Sequence, residues 1–150
     1  MIGVVQRVTE ARVTVAGATV GEIGGGLLAL VSIVREDDAK DVQWMTAKLT
    51  SLRIFRDEMG EKHFDRSVVD VGGAILLVSN FTVAADTKRG RRPSFDAAAA
   101  PEAGRRMFEH LIQSLRATGV PVAIGEFGGD MRVSLINDGP ATFVLDSRGP

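Results

Sequence analysis

The chain has 150 residues, enough for one domain around one buried core, and a formal net charge of −1. No global field therefore draws it to nucleic acid or to an anionic membrane, and any such partner must be met by a local patch. The absence of cysteine excludes disulfides, thiol catalysis and thiolate metal sites, and two histidines, His63 and His110, are too few for a multi-histidine metal cage. No metal or cofactor is expected. The start, MIGVVQRVTEARV, has no cationic segment followed by a long apolar run, and no stretch approaches the ~20 apolar residues that span a bilayer. The expectation is a cytoplasmic protein with no membrane partner.

Val-rich segments at 2–8 and 12–16 read as strands, and Ala16-Gly17 as a tight turn into a third at 18–23. Gly24-Gly25-Gly26 breaks the chain before the continuous apolar run 27–34, which has the pattern of a strand buried on both faces. Asp37 and Asp38 are N-cap candidates for a helix over 38–50, with Val42, Met45, Leu49 and Leu52 at helical spacing. A short strand at 52–56 and a turn at Asp57-Glu58-Met59-Gly60 lead through an irregular region to the most hydrophobic strand, 74–84. A polar loop follows, then a helix over 101–118 with Pro101 in its first turn and Gly119 at C′. Met107, Phe108, Leu111, Ile112 and Leu115 form its stripe. Strands at 120–126, 131–137 and 141–146 complete a mixed α/β (α+β) single domain, 1–150. Its two helices pack on a curled, mainly antiparallel or mixed sheet of about eight or nine strands.

Three places carry chemistry. Ser79, Asn80 and Thr82 interrupt the apolar strand 74–84. They are either a strand end at the surface or a polar edge opening into a pocket, where hydroxyls, a carboxamide and the N–H groups of Phe81 and Thr82 converge on a carbonyl. Donors aimed at a developing oxyanion are worth ~3–4 kcal/mol each. Lys88, Arg89, Arg91 and Arg92 follow at once: a solvated surface taken alone, but cations for RNA phosphates if the strand end is a pocket. Asn137-Asp138-Gly139-Pro140 lies between alternating stretches and reads as a hairpin turn, although Gly-Pro is also a place for a cis peptide. Phe127 and Met131 flank two glycines, either as core residues around a turn or as an apolar wall beside a small substrate. His110 is expected at a helix edge or partly buried. The scattered aspartates lack metal-ligand spacing, and GEIGGG does not join a strand to a helix, so it is no phosphate cradle.

With these segments placed, the chain resembles the D-aminoacyl-tRNA deacylases. The likeness runs through VVQRVTEARVTV, GEIGGGLLALV, LRIFRDEMG, DVGG, SNFT, KRGRRPSF, FGGDM and NDGPAT, nearly the whole length. Ser79-Asn80-Phe81-Thr82 matches the family's Ser-Gln-Phe-Thr strand end, with Asn80 in place of the usual Gln, and Gly139-Pro140 matches its Gly-cis-Pro element. The resemblance implies hydrolysis of the ester joining a D-amino acid to tRNA, and a homodimer in which each Gly-Pro enters the partner's pocket. Backbone carbonyls there would engage the α-amino end and exclude an L side chain, while glycine would pass, so glycyl-tRNA is a second expected substrate. Arg7 resembles the arginine that locks the Gly-Pro element. The expected catalytic set is Ser79, Asn80, Phe81 and Thr82, with water rather than Thr82 as the attacking group. Two other classes compete: a hydrolase of small esters with the Arg loop incidental, and a non-enzymatic module that grips an RNA end.

Overall fold

A computed structural model describes residues 1–88 and 90–149, so the expectation for Arg89 lies outside the described residues. Among these, six strands form one curled sheet, in place of the eight or nine expected, and two helices cover one of its faces. The strands are β1 (Ile2–Val15), β2 (Ala18–Ile23), β3 (Gly26–Ser32), β4 (Ala74–Ser79), β5 (Val122–Ile124) and β6 (Met131–Asp146). The helices are α1 (Ala39–Ser51) and α2 (Pro101–Ala117). The strand order is β2-β1-β3-β4-β5, with β6 along the other side of β1.

Most of the lost strands are mergers. The segments 2–8 and 12–16 are one strand, because β6 pairs with Val8 and again with Glu10 and so carries β1 across the gap between its β3 and β2 partners, where Thr9 and Glu10 are exposed. The first half of β1 pairs with β3, the second half with β2, and β6 runs antiparallel along both. Likewise 131–137 and 141–146 are one strand. Val8 pairs with Asn137 and Gln6 with Thr142, so two steps along β1 match five along β6. Residues 138–141 are therefore an outward bulge and not a hairpin turn, since both flanks find the same partner. The expected strand 52–56 reduces to a single bridge, Phe55 to Arg66, and 120–126 shrinks to the three residues of β5. The strand expected to reach 84 ends at Ser79, and Phe81–Ala84 is a turn of 3-10 helix.

The helices start and stop for local reasons. Asp38 accepts from the Lys40 N–H at 2.7 Å, and Asp41 Oδ2 accepts from the Asp38 N–H at 2.8 Å, a reciprocal cap. Asp37, the other candidate, instead takes the Val34 N–H and the Met1 ammonium. Pro101 opens α2, and Gly119 closes it at φ +85°. Both helices are crossovers between parallel strands, α1 from β3 to β4 and α2 from β4 to β5, and both lie on the same face.

That face holds the larger core: Met45, Leu49, Phe108, Leu111 and Leu115 against Leu27, Ala29, Val31, Ile75 and Leu77. Each such side chain contributes about 1.5–3 kcal/mol on burial, which docks the helices. Leu28, Leu76 and Val78 point to the other face, where they meet Val8, Ala11 and Val13. β3 and β4 are thus buried on both sides, as the unbroken apolar run 27–34 predicts. The sheet curls until β2 approaches β5. A Cβ at Gly21 would lie 2.3 Å from the Ile124 carbonyl oxygen, so only glycine permits the backbones to come this close.

Candidate active site

The C-terminal end of β4 opens into a cavity of about 960 Å³ between the sheet and the start of α2. Its floor is apolar, from Leu28, Leu30, Val78, Val133 and Leu135, and its polar edge is Ser79 and Asn80. Phe81, Phe95, Phe127 and Met131 complete the wall. The polar interruption of β4 is therefore a pocket edge. The Phe127-to-Met131 segment is cavity wall and core at once, for the Phe127 ring also packs 5.9 Å from Phe108.

The chain turns sharply at Asn80. Its backbone N–H is held by the Val31 carbonyl at 2.8 Å, the last rung that ties the strand end to β3. Its side chain then caps the 3-10 turn: Oδ1 accepts the Thr82 N–H at 3.1 Å and the Thr82 hydroxyl at 2.6 Å. Of the two amides expected to serve as donors, that of Thr82 is thus engaged. The Phe81 N–H has no partner among the described residues, and neither has the Ser79 hydroxyl. Thr82 is exposed beside the cavity and not in its wall.

The basic loop is anchored here as well. Asp86 and Ser94 exchange backbone hydrogen bonds of 2.8 and 2.9 Å across its neck, and Phe95 packs edge-on against Phe81 at 5.0 Å. Lys88, Arg91 and Arg92 are exposed and form no ion pair with a described carboxylate.

The bulge in β6 is built from behind. Arg7, 2% exposed, donates from Nε to the Asp138 carbonyl at 2.9 Å and reaches Asp138 Oδ2 at 2.9 Å. Its Nη1 donates to the carbonyls of Ile54 at 2.6 Å and His63 at 3.1 Å, and Phe64 lies 5.9 Å away. Asn137 Nδ2 donates to the Arg7 carbonyl at 3.0 Å and the Ala141 carbonyl at 3.1 Å, which pinches the bulge shut at its base. The Gly139-Pro140 peptide is cis, and both residues are exposed. Neither lines the cavity, so the structure does not bring Gly139, Pro140 and Arg7 to Ser79 and Asn80 within the chain.

His63 Nδ1 lies 2.9 Å from the Arg56 guanidinium, and His110 is exposed on α2. Neither joins the cavity. One wall residue, Phe95, and one residue that backs the wall, Arg105, escape sequence reading. Phe95 closes the quoted KRGRRPSF segment, and that adjacency is its only signal. Arg105 lies over the Phe127 ring at 4.8 Å, a partnership made purely in space.

A curled sheet covered by two helices on one face, with a polar strand end at a cavity, has clear counterparts. A solved structure described as c-Myc DNA Unwinding Element Binding Protein matches with TM-score 0.93 and 39% identity, over 99% of this chain and 100% of that one. A second, described as a probable eukaryotic D-amino acid tRNA deacylase, matches in fold, with TM-score 0.80 and 16% identity over 96% and 97%. The family model for D-Tyr-tRNA(Tyr) deacylase matches residues 4–146. A D-aminoacyl-tRNA deacylase of Pelobacter propionicus is 51% identical over 97% of this chain and 99% of its own length. One of Chloroflexus aurantiacus is 53% identical over 98% and 91%. The chain belongs to the D-aminoacyl-tRNA deacylase family, and it is a hydrolase.

Proposed function

We propose that the protein hydrolyses the ester of D-aminoacyl-tRNA, and of glycyl-tRNA mischarged on a non-cognate tRNA, as a proofreading step of translation. In this reading a second copy of the chain completes each site. The observation that carries it is the Gly139-Pro140 bulge. Arg7 and Asn137 hold it firmly, yet its tip is exposed and faces no cavity of its own chain. A rigid exposed tip beside apolar surface suits insertion into another protomer, and Ile136 and Val144 on the same strand are 54% and 72% exposed. A homodimer follows.

The carbonyls of that tip take the α-ammonium, and its backbone fills the space an L side chain needs. A D side chain points to the opening, and glycine has nothing to clash. Each tenfold of L rejection requires ~1.4 kcal/mol, well within reach of a steric conflict. At the other end of the substrate Lys88, Arg91 and Arg92 meet phosphates of the acceptor end. The ester carbonyl lies against Ser79 and Phe81, whose N–H supports the developing oxyanion. Water adds to the carbonyl carbon, the bond to the ribose oxygen breaks, and the neighbouring ribose hydroxyl helps return a proton to that oxygen.

Deacylation of matched D-, L- and glycyl-tRNA by purified protein tests this. Rapid loss of the D and glycyl esters with the L ester preserved is expected. Hydrolysis of the L form as fast as the D form refutes the stereochemical reading.

A further inference from the structure

We infer that Asn80 is a positioning residue that captures the Thr82 proton, so that Thr82 Oγ1, at the rim of the cavity, is left as a hydrogen-bond acceptor only. This deepens the hydrolytic reading above and rests on it.

The polarity of the contact follows from chemistry. An amide N–H only donates, so the Asn80 atom that meets the Thr82 N–H at 3.1 Å is the carboxamide oxygen. That oxygen only accepts. The Thr82 hydroxyl, 2.6 Å from it, must therefore donate. A hydroxyl has one proton, and here it is committed. Any further partner of Thr82 Oγ1 has to bring its own.

Three consequences follow for the reaction. Thr82 donates neither its hydroxyl nor its N–H to an oxyanion, which leaves the Phe81 N–H as the open donor of the turn. Thr82 is also a poor nucleophile, because its proton rests on an amide oxygen, which is no base. What the captured hydroxyl can do, from the rim beside Asn80, is accept from a water entering the cavity, holding one O–H while the water's lone pair is turned inward to the ester carbonyl carbon. The contact is an i to i+2 side-chain cap, a reach that suits Asn. In this chain the residue in the family's Gln position is thus engaged with its own turn.

A double-mutant cycle on single-turnover deacylation of D-aminoacyl-tRNA tests the inference. Asn80→Ala and Thr82→Val are each expected to slow the saturated rate about five- to tenfold, the worth of one hydrogen bond, with half-saturation shifted less than about twofold. If Asn80 acts through Thr82, the double variant is no slower than about twofold below the slower single one. Asn80→Ser, which still caps the Thr82 N–H, should regain most of what Asn80→Ala loses. Multiplied losses in the double variant, or an effect of Asn80→Ala on half-saturation alone, overturn the inference while leaving the hydrolase reading intact. If Asn80→Ala does not fold, Thr82→Ser against Thr82→Val carries the test: the serine keeps the donation and loses less, and equal losses refute it. A wild type that leaves D-aminoacyl-tRNA untouched refutes the hydrolase reading itself, and this inference with it.

Discussion

Arg7→Met removes the support of the Gly139-Pro140 bulge while keeping much of the buried stem. Four contacts are lost: the carbonyls of Ile54, His63 and Asp138, and the Asp138 carboxylate. The bond to the Ile54 carbonyl is buried, and an acceptor stranded there costs about 1–3 kcal/mol. Those to His63 and the Asp138 backbone are partly open to water, worth about 0.5–1.5 kcal/mol each. The Asp138 carboxylate is 38% exposed, so its ion pair adds less than about 1 kcal/mol. One guanidinium makes all of these, so they do not sum, and about 3 kcal/mol is expected. For a chain of this length each kcal/mol lowers Tm by about 2–4 °C, giving a fall of about 6–12 °C by circular dichroism or calorimetry. Activity on D-aminoacyl-tRNA should fall at least about tenfold at a temperature where the variant is still folded, because the bulge loses its aim. Asp138→Asn, which removes only charge, is the control and should cost less than about 1 kcal/mol. A Tm within about 2 °C of wild type, with D and L rates unchanged, would refute the claim that Arg7 holds the bulge.

Three shorter predictions address the barrel, the loop and acid stability. Gly21→Ala places a Cβ against the Ile124 carbonyl at 2.3 Å, backbone against backbone, and should cost about 1–3 kcal/mol in urea unfolding. An unchanged midpoint would mean that β2 and β5 do not close the sheet. Replacing Lys88, Arg91 or Arg92 by Ala should weaken tRNA binding equally for D and L esters and lower the slope of log K against log salt by about 1 each. Unaltered slopes would remove the loop from the RNA interface. Burial raises the pKa of Asp41, but hydrogen bonds from Ser147, the Asp38 N–H and Arg148 outweigh it and bring the carboxyl down from 3.8 to about 2. Its contribution is therefore present above the unfolded value and is lost as pH falls from about 4 towards 2. Asp41→Asn should flatten acid unfolding across that window, and an unchanged slope would exclude Asp41 as its source.

Much of the molecule is legible along the chain because its causes are local. Asp38, one of the two expected N-caps, starts α1, Pro101 and Gly119 bound α2, and the unbroken run 27–34 announces a strand with two buried faces. The polar break at Ser79-Asn80 marks the pocket edge for a similar reason: polar groups end an apolar strand where water or a substrate can reach them. The Gly-Pro bulge and the strand number are different. Asn137-Asp138-Gly139-Pro140 has turn chemistry, and nothing local says that both of its flanks will lie along β1, which makes them one strand with the bulge between. The same holds for Thr9-Glu10, which would break an isolated strand and do not break one that β6 pairs on either side of Thr9. Which amide of the strand end stays open is likewise a matter of tertiary placement, because the β3 ladder sets where Asn80 turns, and that turn decides whose N–H its carboxamide takes. Residue types set which faces can be buried and which groups can react. Pairing partners distant in sequence select the edges, bends and free donors, since a hydrogen-bond ladder is satisfied by whichever strand lies beside it.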